Sequence, residues 1–179
     1  MISISTSLLK EKVVNKQVKA NYVIFRKNTQ LLMNASSNAS NVEIANKIAS
    51  TAALFRKYFP DASVNFSPWE NSNNESMKDT IDFAFHFPGW SPLIECRAIL
   101  LQLRIENEND NYQNNRVPKL LGIIMRGMIV PSERWRVATV GEWEMTGSHL
   151  PQKKQKDNLF LVCKELYKLF STTSAGNKN

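Results

Sequence analysis

The chain has 179 residues, 42% hydrophobic and 22% charged, with a formal net charge of +7 and two cysteines. That length holds one domain whose core needs neither disulfides nor metal, and that composition excludes a disordered chain or a disulfide-stapled secreted scaffold. No apolar run reaches the roughly 18–20 residues of a membrane span.

The first residues, MISISTSLLKEK, combine too short an apolar stretch with too late a charge for a signal peptide, so a cytoplasmic protein is expected. Chain size and asparagine usage suggest a bacterial or organellar source. The positive charge is uneven. Residues 1–60 carry nine Lys and Arg against two Asp and Glu, residues 61–150 eight against twelve, and residues 151–179 six against two. Two basic flanks therefore bracket a mildly acidic centre. A dedicated nucleic-acid-binding domain would carry its cations on the folded face that grips phosphate.

In chain order, residues 1–19 read as a basic, weakly ordered arm, 20–170 as a single α+β domain, and 171–179 as a frayed polar tail. Tyr22 to Phe25 has strand character, and 34–40 is a polar linker. Ser40-Asn41-Val42-Glu43 has the form of a capping box, with the Ser40 hydroxyl taking a helix amide and Glu43 reaching back. Ile44, Ile48, Ala52, Phe55 and Phe59 follow at intervals of four, four, three and four, which makes one apolar stripe that Pro60 stops.

Val64 to Phe66 predicts a short strand, and 67–79 a polar loop. Ile81, Phe83, Phe85 and Phe87 then alternate with Asp82, Ala84 and His86, the period of a strand with one buried face. Pro88-Gly89 and Ser91-Pro92 predict the turn of a hairpin, with a second strand from Leu93. Its middle is apolar on both faces, as for a strand at the centre of a sheet. Residues 106–116 predict an acidic loop and 117–130 a strand. Residues 133–145 predict a further strand with a bulge at Gly141, and Pro151 opens a closing helix with Leu159, Val162, Leu166, Leu169 and Phe170 on one face. The expected fold is α+β, a mostly antiparallel sheet of about five strands flanked by two amphipathic helices.

Much common chemistry is missing from the sequence. Two histidines and two cysteines, far apart, give no zinc spacing. Neither a GxxxxGK[ST] loop, a GxGxxG turn nor a GxSxG elbow occurs. Cys163 lies in an apolar helical repeat, His86 on the outer face of its strand, and His149 in a turn. No cofactor and no metal is expected, and binding is favoured over catalysis.

One alternative is catalytic. Asp82 on a strand, then Glu95-Cys96-Arg97 at the head of a hydrophobic strand, after a helix carrying Glu43, is similar to the core order of the PD-(D/E)XK nuclease superfamily. That resemblance, over about residues 40–100, implies a divalent ion held by Asp82 and Glu95, with Arg97 standing where the family usually has lysine. A second alternative is contact with nucleic acid or another anionic surface through the basic flanks. The favoured reading is an accessory factor or subunit with a protein partner, or a homo-oligomer. Trp69 and Trp90 stand beside proline-containing turns, and Arg134 and Arg136 flank Trp135. Trp and Arg are the residues that most often anchor interfaces, so Trp69, Trp90, Arg134 and Arg136 are the expected partner contacts.

Overall fold

The computed structural model describes residues 34–39, 41–69, 80–106 and 119–171. In chain order these form a one-turn helix α1 (Ala35–Asn38), helix α2 (Val42–Tyr58), strands β1 (Ser63–Asn65), β2 (Thr80–Ser91), β3 (Cys96–Ile105), β4 (Leu120–Ile129), β5 (Ser132–Ala138) and β6 (Glu144–Gly147), and helix α3 (Lys153–Ser171). The strands make one sheet in sequence order, each antiparallel to its neighbour. The fold is the expected α+β arrangement, with six strands. The expected arm over 1–19, the strand at Tyr22–Phe25 and the tail beyond Ser171 lie outside the described residues.

The sixth strand comes from dividing 133–145 in two. Gly141 sits at a φ of +83°, a left-handed conformation that reverses the chain rather than bulging one strand. Helix α2 also starts one residue later than the Ser40 box places it. Asn41 is the cap, its Oδ1 accepting the Ile44 N–H at 2.9 Å.

The apolar stripe of α2 buries Ile48, Ala52, Phe55 and Phe59, and α3 buries Leu159, Val162, Cys163, Leu166 and Phe170. Both helices press onto one face of the sheet, where Ile81, Phe83, Phe85, Ile99, Leu101, Leu103, Ile123, Met125, Trp135 and Val137 join them in a single core. Phe55 stacks on Phe85 with ring centroids 3.8 Å apart. Burying one such ring stabilises the fold by about 1.5–3 kcal/mol. Two polar ties lock the helices together: the buried Lys47 ammonium donates to the Leu169 carbonyl at 2.5 Å, and the Tyr58 hydroxyl donates to Glu165 at 2.5 Å. A third ties α3 to the end of β5, where the Thr139 and Tyr167 hydroxyls meet at 2.8 Å.

Gly127 explains how a tryptophan fits the middle of this sheet. It lies opposite Trp135, and a Cβ built there would stand 2.2 Å from the indole. The ring therefore crosses the strand where no side chain competes, and its Nε1 donates to the Ile94 carbonyl at 2.6 Å. The other face of the sheet carries Asp82, Ala84, Leu100, Gln102, Arg126 and Arg136.

Candidate functional site

The sequence places Glu95 and Arg97 together on one face of a strand. The structure does not. β2 runs on through Pro88-Gly89 to Ser91, and the chain reverses at 92–95 instead. The Ile94 and Glu95 amides both donate to the Ser91 carbonyl, at 3.3 and 2.8 Å, and Glu95 closes the turn with a φ of +56°. β3 begins only at Cys96, so Glu95 belongs to the loop and Arg97 to an exposed strand position. Asp82 pairs with Gln102, six residues along β3 from Cys96. At the rise of a strand that separates Asp82 from Glu95 by roughly 20 Å. Asp82, Glu95 and Arg97 are therefore not brought together. Among the described residues no group of three or more His, Cys, Asp or Glu side chains gathers as a metal ion would need.

Asp82 has a different setting. It is fully buried on β2, and its Oδ2 accepts from the Trp69 indole at 2.5 Å and from the Gln102 amide at 3.1 Å. Trp69 is held in turn by Asn34, whose side chain accepts from the Trp69 N–H at 3.1 Å and donates to its carbonyl at 3.0 Å. Asn34 also bridges Asp82 at the sheet edge. Trp69, expected as an exposed anchor, is thus half-buried and spends its N–H inside the molecule. Burial raises the Asp82 pKa above its ordinary value, against the lowering effect of hydrogen bonds from Trp69, Thr80 and Gln102 and of the Arg126 charge. The arrangement is a buried polar network that ties the start of the described chain to the sheet.

The other expected contacts lie elsewhere. The hairpins β2–β3 and β4–β5 and the end of β6 all lie at one end of the antiparallel sheet. There the Arg134 guanidinium sits 5.7 Å from the centre of the Trp90 ring and 3.5 Å from the Glu95 carboxylate. One arginine therefore joins the tip of one hairpin to the next, with a cation–π contact on one side and an ion pair on the other. The same end of the sheet exposes large apolar side chains: Trp90 at 42%, Leu93 at 45%, Val130 at 84% and Leu150 at 43% of their full accessible area. The Gln152 amide donates to the Leu93 carbonyl at 2.9 Å, which fixes Leu150 and its loop beside the hairpin. Arg136 stands apart, exposed on the other face of the sheet. Its guanidinium is bound twice by Glu133, both at 3.0 Å, and Glu133 also lies 3.7 Å from Arg126.

Sequence reasoning singled out Trp90 and Arg134 but missed Leu93, Val130 and Leu150. The sequence reading starts a strand at Leu93, whereas the structure places it in the turn at 92–95, exposed. Val130 and Leu150 each adjoin a proline, Pro131 and Pro151, and that adjacency was the available signal for a loop position. Gln102 had no signal at all, because its role depends on the cross-strand register with Asp82.

The fold defines an α+β domain, a six-stranded antiparallel meander with two long helices on one face, in which no helix of the described residues is long and apolar enough to cross a membrane. Residues 36–172 match a family described as a domain of unknown function, and the chain belongs to that family. No curated protein and no solved structure matches it.

Proposed function

We propose that this protein acts by binding another protein, as an accessory factor or subunit, and that the contact surface is the hairpin end of the sheet. One observation carries the reading. The end of β2 and three separate loops bring Trp90, Leu93, Val130 and Leu150 out into solvent at the end of the sheet that holds the Arg134–Glu95 ion pair. Scattered apolar residues on a surface are ordinary. A cluster of large ones around an aromatic–arginine pair has the anatomy of an interface centre with a polar member to fix orientation. Trp69 is not part of it, since its polar edge is engaged with Asp82, and Arg136 is held by Glu133 away from it.

The test is a photo-crosslinking residue placed at position 93 in living cells, with the same residue at the exposed position Asn46 on α2 as control. The expected result is a protein adduct from position 93, identified by mass spectrometry, that is lost in Trp90→Ala. An adduct with the chain itself would make the partner a second copy. Equal yields at positions 93 and 46 would overturn the proposal.

A further inference from the structure

β6 is the last strand of the sheet. Its inner edge pairs with β5, and among the described residues nothing pairs with its outer edge. An outer edge leaves N–H and C=O groups of alternate residues open, which is the template for an added strand. Met145 on β6 points into the core beside Val137, so Trp143 and Gly147 share its side and Glu144 and Thr146 face the other way.

The flank on the Trp143 side has an unusual composition. Trp143 is 37% exposed, and its ring stacks on Tyr167 of α3 with centroids 5.6 Å apart. Along α3, Lys153, Lys156, Phe160, Lys164 and Tyr167 follow at intervals of three, four, four and three, so they form one stripe of the helix. The contact between Tyr167 and Trp143 turns that stripe towards the β6 edge. Between α3 and Trp143, the residue that precedes β6, lies an open cleft of about 580 Å³ lined by Trp143, Asp157, Phe160, Leu161 and Lys164. Lys156 lies 6.0 Å from the centre of the Phe160 ring, and Leu161 is 42% exposed.

We infer that this cleft takes an extended acidic segment of another protein, added to β6 as a seventh strand. Backbone hydrogen bonds to Glu144–Gly147 would supply the pairing. An apolar side chain would lie against Trp143, Phe160 and Leu161, and acidic side chains would meet Lys153, Lys156 and Lys164. The charge argument decides the partner: three cations share the stripe, against Asp157 on the helix and Glu142 in the loop before Trp143, with Glu144 on the other side of the strand, and none of the three lysines is in an ion pair among the described residues. The outer edge, which no described strand pairs, decides its conformation, because only an extended chain can use it. The β6–α3 cleft is distinct from the hairpin end, so either surface can fail without the other.

A random linear dodecapeptide library is selected against the full-length protein, and enriched peptides are synthesised. The expected peptides are rich in Asp and Glu around a large apolar residue, and their binding slows amide exchange in Glu144–Gly147. Leu161→Asp changes an exposed helix position outside the core and weakens binding by about tenfold or more, while circular dichroism confirms that it folds. Methylating alternate peptide nitrogens weakens binding as much, because the added strand loses its donors. No enrichment, equal binding to Leu161→Asp, or indifference to N-methylation would overturn the inference. So would displacement of the peptides by phosphatidylserine vesicles, which would assign the lysines to a lipid surface.

Discussion

Replacing Asp82 by asparagine tests the buried network through its pH dependence. Burial raises the pKa of this carboxyl above the ordinary value near 3.8, and the hydrogen bonds from Trp69, Thr80 and Gln102 offset that only in part. The native state therefore binds the proton more tightly than the unfolded chain does. The contribution of Asp82 to stability is complete below the unfolded value and is lost as pH rises through the native one. Asparagine has no such titration, yet keeps one oxygen where Oδ2 accepts from both Trp69 and Gln102. The stability difference between wild type and Asp82→Asn should therefore shrink as pH rises from about 4 to 8, by about 1.4 kcal/mol for each tenfold excess of native over unfolded proton affinity. Urea unfolding at closely spaced pH values measures it, and other titrating groups cancel in the difference. A flat difference, or one that grows with pH, would refute the reasoning. It would mean that the Trp69 bond at 2.5 Å and the Gln102 bond at 3.1 Å outweigh desolvation. Asp82→Ala supplies the scale: it leaves both donors without their acceptor, at about 2–4 kcal/mol in all, since water restores part of the loss at half-buried Trp69.

Gly127→Ala should cost about 3 kcal/mol, because its Cβ would press on a fully buried indole that is also tied to the Ile94 carbonyl. The urea midpoint reads this, and an unchanged midpoint would mean that Trp135 does not cross the strand at that glycine. Cys96 and Cys163 are both buried, and burial pushes each thiol up to about 12. Neither forms a useful thiolate near neutral pH. A thiol reagent at pH 8 should label neither in the native protein and both after unfolding; fast labelling of the native state would contradict the burial.

The two periodicities were legible because they repeat. The α2 stripe from Ile44 to Phe59 and the alternation of β2 from Ile81 to Phe87 each state one rule several times, and the structure buries most of those residues against each other. Features set by a single backbone conformation were not legible. Glu95 at a φ of +56° and Gly141 at +83° each redirect the chain, and the first takes Glu95 out of the strand that the nuclease-like order requires. Nothing in the local sequence demands a left-handed glutamate. Contacts between distant segments were hidden for another reason. Asn34, Trp69, Asp82 and Gln102 come together only after the sheet register is set, so Trp69 looked like an anchor left over for a partner.

Charge is where chain order misleads most. Read along the sequence, the cations fall into two flanks that suggest solvated ends. In the fold α2 and α3 pack side by side, so cations from the first third of the chain and from its last part enter one helical layer. Part of that charge is structural: Lys47 is buried against the Leu169 carbonyl, and Lys57 lies 3.4 Å from Glu165. Of the helical cations, Arg56 remains on α2 and five more lie on α3, where Lys153, Lys154, Lys156, Lys164 and Lys168 face only Asp157 and Glu165 on the same helix. Removing residues 1–19 and 172–179 would leave every one of these lysines in place. A loss of anion binding on that truncation would therefore assign the contact to the termini, whereas its survival would assign it to α3. Reversing charge at Lys164 and Lys168 is the matching perturbation, because both are exposed and neither contributes to the core.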